Sequence, residues 1–193
     1  MTNARQIYFS KGTDVPNNTL PVLLYRSVLA ANAPAKARRF RERFRDKGWA
    51  GLWTDTIYDY MHFHSNAYEV LGIANGKVSL RLGGENGSLI RLKAGDMLIL
   101  PAGVGHRRAG RDDGLKVIGA YPPGQSHYDM KRKGKTIPKV ALPDTDPFFG
   151  MDGFLVEAWR TRSGKQSPAD RLKLAHNLTG AIRRRGGPGT DAG

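Results

Sequence analysis

Alternation of apolar and polar positions dominates the middle of the chain. In Lys77-Val-Ser-Leu-Arg-Leu82 the side chains of Val78, Leu80 and Leu82 share one face, and Lys77, Ser79 and Arg81 share the other. That two-residue period predicts a half-buried strand, with Arg81 on the solvated side. Met97-Leu-Ile-Leu100 is apolar on both faces and predicts a central strand buried from two sides. Leu20 to Leu29 and Leu115 to Tyr121 read as further strands, the second closing the sheet. Turn signals at Asn75-Gly76, 83–87, 93–96 and Asp112-Asp113-Gly114 separate these runs at short spacing, the pattern of an antiparallel sandwich or barrel.

Elsewhere the period changes. From Pro34, a good first helical residue, to Lys47, the residues Ala37, Phe40 and Phe44 recur at helical spacing among arginines. This predicts an amphipathic helix that ends near Gly48 and packs its aromatic stripe on the sheet. Asp152 to Trp159 reads as a last strand with Trp159 packed. Ser167-Pro-Ala-Asp170 opens a second short helix, with Leu172, Ala175 and Leu178 as its stripe. Beyond Gly180 there is no apolar face to bury, so disorder is expected there. The expected organisation is one domain over 1–160, with a strand arm over 7–29, a helix over 34–47 and a core over 50–121. A helical extension over 161–180 and a basic tail over 181–193 follow.

Composition narrows the partners. The net charge is +14, yet residues 50–130 carry eight Lys/Arg against eight Asp/Glu, so the excess lies in the flanks. No cysteine is present, which removes disulfides and thiolate ligands. Neither an apolar leader at the N-terminus nor a run near the roughly 20 apolar residues of a spanning helix is visible, and a soluble, cytoplasmic protein is expected.

The candidate chemistry lies in Tyr60-Met-His-Phe-His-Ser-Asn-Ala-Tyr-Glu69 together with Pro101-Ala-Gly-Val-Gly-His106. On an extended chain His62 and His64 project to one side with Phe63 on the other. Glu69 adds a carboxylate and His106 a third imidazole. Three neutral imidazoles and one carboxylate suit a divalent ion of the Mn, Fe, Co, Ni, Cu or Zn group, and the lack of thiolates argues against a closed structural zinc site. The bland alternative is a half-buried histidine cluster without metal.

His62-x-His64-(x)4-Glu69-(x)6-Gly76 and Gly95-(x)5-Pro101-x-Gly103-(x)2-His106 resemble the two sequence motifs of the cupin superfamily. The resemblance implies an antiparallel double-sheet jelly-roll barrel with flanking helices, holding one metal ion on His62, His64, Glu69 and His106. Two positions depart from the pattern, Thr56 and Gly110 standing where a glycine and an asparagine are usual, and neither is a ligand. Val15-Pro-Asn-Asn18, Leu20 to Tyr25, Trp53, Tyr121-Pro-Pro-Gly-Gln125 and Asp146-Pro-Phe-Phe-Gly150 extend the likeness to the small bacterial single-domain YjlB-like cupins, over about the first 160 residues.

What the resemblance implies for function is a metal-dependent enzyme on a small-molecule substrate, leaning to an oxygenase-type oxidoreductase, with an isomerase as a further possibility in the superfamily's repertoire. For acid–base work the candidates are Tyr60, Tyr68 and His127, and Asp129 lies in the same mouth-spanning segment. A non-catalytic ligand-binding or sensor module competes with this reading, and polyanion binding through the basic flanks is third. A homodimer is an open assembly; nucleic acid is disfavoured and a membrane is not expected as partner.

Overall fold

The computed structural model describes residues 4–111 and 114–162, and the side chains only as far as 160. Two units divide the chain, residues 1–159 and residues 160–193, and the account below concerns the first. The helix opened at Ser167 and the tail over 181–193 lie outside the described residues.

Among the described residues nine strands and two helices follow one another as β1 Arg5–Ile7, β2 Val22–Tyr25, α1 Lys36–Asp46, β3 Ala50–Asp55, β4 Glu69–Asn75, β5 Lys77–Leu82, β6 Ser88–Lys93, β7 Met97–Leu100, β8 His106–Ala109, β9 Lys116–Tyr121 and α2 Phe154–Arg162. They form two antiparallel sheets, one of six strands in the order β1-β2-β7-β4-β9-β3 and one of three in the order β6-β5-β8. This is the double-sheet jelly-roll barrel with flanking helices.

The inner strands of the large sheet, β2, β7, β4 and β9, are buried on both faces, and that is why they read as nearly unbroken apolar runs. Along β7, Leu98 and Leu100 turn inward to meet Val78, Leu80, Leu82, Ile90 and Leu92 of the small sheet, while Met97 and Ile99 turn outward toward α1. In β2, Val22 and Leu24 point inward, Leu23 and Tyr25 outward. The small sheet has only one buried face, and β5 shows the alternation that its sequence predicts. Phe40 and Phe44 of α1 are fully buried against the outer face. A Cβ at Gly72 would lie 2.7 Å from the Phe40 ring, so the absent side chain sets how closely the helix approaches.

Several expectations are corrected. Asp152 to Trp159 is not a strand: α2 begins at Phe154, and its buried Leu155, Ala158 and Trp159 have the three-to-four-residue spacing of one helix face. The packing of Trp159 is as expected, its indole donating to the Pro21 carbonyl at 3.0 Å. The run Leu20 to Leu29 is a strand only over β2, since Ser27 turns to positive φ and ends it. Pro34 lies before the helix, because Ala35 takes a left-handed conformation ahead of Lys36. Finally, β9 lies one place in from the edge, between β4 and β3.

Candidate metal centre

His62 and His64 lie on an extended segment held by isolated bridges instead of a regular strand. His62 exchanges two backbone hydrogen bonds with His106, and Phe63 exchanges two with Lys131. Alternation still applies, so both imidazoles face the barrel interior and Phe63 packs with Val15 and Met61 behind them. Glu69 enters at the start of β4 and His106 at the start of β8.

The turn that delivers His106 is fastened from a distance. The Gly103 amide donates to the His64 carbonyl at 2.8 Å, and the Asn17 amide donates to the Gly103 carbonyl at 3.0 Å. The side chain of Asn18 donates to the Ala102 carbonyl at 2.8 Å, while the Gly105 amide reaches Asn17 Oδ1 at 3.4 Å. At Gly103 φ is +85°, and a Cβ there would stand 2.8 Å from the Asn17 carbonyl oxygen, so only glycine fits. The motif Val15-Pro-Asn-Asn18 thereby acquires a structural role as the clasp of this turn.

All four side chains are buried, none more than 5% exposed. One ring nitrogen of each histidine lies within 4.8 Å of the other two. Glu69 Oε2 lies 3.4 Å from His64 Nε2 and 3.3 Å from His106 Nε2. On the far side of each ring, Nδ1 meets a backbone carbonyl: Tyr60 at 3.1 Å for His62, Val104 at 3.1 Å for His106, and Asp129 for His64. A carbonyl only accepts, so each Nδ1 carries the proton and each neutral ring keeps its lone pair on Nε2, facing inward. Glu69 Oε1 accepts from the Tyr121 hydroxyl at 2.8 Å, whereas Oε2 is buried without a hydrogen-bond partner.

These lone pairs face a carboxylate, and the electrostatics show the demand for positive charge. Burial alone would raise Glu69, but the imidazoles of His64 and His106 outweigh it and hold the carboxyl well below the usual carboxylate range. Burial, reinforced by His106, pushes His62 down from 6.5 to about 3. His64 feels burial in the same direction, yet the Glu69 carboxylate and the Asp129 carbonyl overcome it and raise its pKa. The donor set, an orphaned carboxylate oxygen and convergent lone pairs with no thiolate, fits one divalent first-row ion.

A second layer surrounds the centre. Trp53 Nε1 donates to the Tyr121 hydroxyl at 3.1 Å, and Tyr121 passes its own proton toward Glu69. The Trp53 indole lies over Gly119, where a Cβ would come within 2.0 Å of it. Burial and the neighbouring carboxylate raise the Tyr121 phenol well above its ordinary value, so it stays a donor. Tyr128 stacks on Tyr121, the ring centroids 4.0 Å apart, and sets its edge against His64 at 4.8 Å. Asp129 fixes the loop by accepting from the Ser65 amide and hydroxyl.

The cavity measures about 180 Å³, and His62, His64, Glu69, His106, Trp53, Tyr121, Tyr128, Tyr58, Met130, Asp55 and Thr56 are among its lining residues. Of the three acid–base candidates none lines it. Tyr60 stacks on Tyr58 beside His62, its hydroxyl on the Met130 sulfur. Tyr68 turns to the outer core, its hydroxyl on the Val140 carbonyl and its ring on Trp159. His127 is exposed, and its carbonyl accepts from Asn66. Tyr121, Tyr128, Trp53 and Thr56 have no local pattern that marks them as site residues; only the period of β9, which puts Val117, Gly119 and Tyr121 on one face, points Tyr121 inward.

No family model matches the chain. It is similar to the uncharacterized protein YjlB of Bacillus subtilis (strain 168), with 34% identity over 161 residues, covering 79% of this chain and 94% of that protein. Among solved structures it is similar to acireductone dioxygenase from Bacillus anthracis with a cadmium ion in its active centre, with 17% identity, a TM-score of 0.32, and coverage of 44% of this chain and 57% of that one. A Bacillus subtilis oxalate decarboxylase gives 18% identity and a TM-score of 0.35, covering 64% of this chain and 29% of that one. Vicilin from Solanum lycopersicum gives 12% and 0.37, covering 66% of this chain and 32% of that one. The chain spans less than two thirds of each of these three solved structures, and TM-scores of this size carry no argument about chemistry.

Proposed function

This chain belongs to the family of the Bacillus subtilis protein YjlB, and from that premise we propose that it is a cupin and a metal-dependent enzyme of oxygenase-type oxidoreductase class acting on a small molecule. His62, His64, Glu69 and His106 are the ligands of one divalent transition ion. The observation that carries this reading is the tautomer set: three Nδ1–H groups on backbone carbonyls leave three Nε2 lone pairs beside an orphaned carboxylate oxygen. A bound redox-capable ion would supply one-electron chemistry, and zinc or nickel would supply Lewis acidity.

The protein's own part is orientation and exclusion of water. Tyr121, itself held by Trp53, fixes the carboxylate of Glu69 in one orientation, as second-layer donors do in metal sites. Burial of the four donors removes competing water from all but the cavity side. Apart from those donors, the ionisable groups on the described cavity wall are Asp55, Tyr58, Tyr121 and Tyr128. Asp55 is the one carboxylate there besides Glu69, so we favour redox chemistry at the ion over isomerisation, and the second reading is a sensor that binds a small ligand without turnover.

No helix among the described residues is long and apolar enough to cross a membrane. With no cysteine to call for an oxidising compartment, we place the protein in the cytoplasm. Metal exchange tests the chemistry. Activity on an identified substrate is expected with iron under air and absent with zinc, and equal turnover with both ions would move the reading to an isomerase or hydrolase.

A further inference from the structure

We propose that the molecule this centre takes has a ring-sized apolar body behind its metal-binding oxygens, an aromatic chelator in preference to a sugar or a multiply charged acid. The inference rests on the metal-centre reading above and names the substrate class of the same site.

Six large apolar side chains are exposed among the described residues, and three of them, Tyr58, Tyr128 and Met130, line this one cavity. Their exposures of 48%, 37% and 42% are the cost of leaving an apolar rim open to water, and clustered exposure of this kind marks a binding site. Trp53, Ile57 and Leu71 continue the apolar wall inward. No lysine or arginine lines the described wall, so an anionic group on the ligand has no countercharge except the ion. Apart from the four donors, the polar side chains on that wall are Thr54, Asp55, Thr56 and the three tyrosines, set among apolar faces that suit a ring better than the many hydroxyls of a sugar.

Size agrees with this. A dry cavity of about 150 Å³ is enough to hold benzene, and the volume here is about 180 Å³. That is room for one ring and its donor atoms. The stacked pair Tyr121 and Tyr128 is already in place, 20° from parallel, so an aromatic ring meets a preformed edge and face without reordering side chains.

The test uses the full chain loaded with cobalt(II), whose content is measured first, and two probes with the same chelating group: benzohydroxamate and acetohydroxamate. Binding is read from the visible absorption of cobalt. The wild-type protein is expected to bind benzohydroxamate about tenfold more tightly, the order of the apolar burial gained by one ring. In a Tyr58→Ala, Met130→Ala double variant the ratio is expected to fall to about twofold, and Met130→Leu, which keeps an apolar side chain at the rim, is expected to retain it. Equal affinities for the two probes in cobalt-loaded wild-type protein, or a ratio that survives in the double variant, would overturn the inference while leaving the metal centre standing. Failure of the wild-type chain to take up cobalt would overturn the metal-centre reading, and this inference with it.

Discussion

Protonation of His64 sets how the centre responds to acid. The ion needs neutral imidazoles, so protons compete with it wherever a ligand's metal-free pKa lies near ambient pH. His62, depressed to about 3 by burial and by His106, offers no competition above strongly acid pH. His64 is raised above the ordinary 6.5, with Glu69 and the Asp129 carbonyl overcoming burial. Zinc affinity is therefore expected to be flat at alkaline pH and to fall about tenfold per unit as pH drops through the raised pKa of His64. Competition titrations across pH check this; a limb centred below 6.5, or one steeper than a single proton per ion, would contradict it. His62 and His64 were legible because the two-residue period puts them on one side, and Glu69 and His106 because the spacing within each segment matches the cupin motifs. Tyr121, Trp53 and the Asp129 carbonyl were not, because each joins a partner 52 to 68 residues away and nothing nearby in sequence reports that pairing.

Each element of the barrel matters to the site by where it points a donor, and for His106 the support is the turn before β8. Asn17 bonds the turn through its own amide and through its side-chain oxygen, and its side-chain nitrogen reaches the carbonyls of Ser10 and Gly83. Removing that side chain leaves buried groups unpaired, at a cost of about 1–3 kcal/mol. Asn17→Ala is accordingly expected to lower stability by that order and to weaken metal binding, because His106 loses its fixed approach. Denaturant unfolding and metal titration check it, and unchanged metal affinity in a folded Asn17→Ala protein would show that the clasp does not position His106. Sequence period located β5, β7 and α1 well, since each has either a clear alternation, burial on both faces or a wide aromatic stripe. It misled at α2, where Phe154, Leu155, Ala158 and Trp159 make so short a stripe that strand and helix periods fit alike.

On the scale of the whole molecule, charge shows what a count along the chain conceals. The balance of residues 50–130 is zero, yet Lys77, Arg81, Arg91, Lys93 and Arg107 sit on the outer face of the small sheet, with Lys77 directly opposite Lys93 and Arg81 opposite Arg107. Inside, the cavity wall has Asp55 and Glu69 and, among the described residues, no cation. The same span thus presents a basic exterior and an interior that lacks positive charge, and a metal ion is the charge that the interior calls for. Elemental analysis of the untagged protein tests this most directly. About one divalent transition ion per chain is expected in the wild type, and most of it should be lost in a His62→Ala, His64→Ala double variant, whose remaining donors no longer enclose an ion. Full metal occupancy in that double variant, or a wild-type protein that binds no ion when supplied with one, would contradict the account.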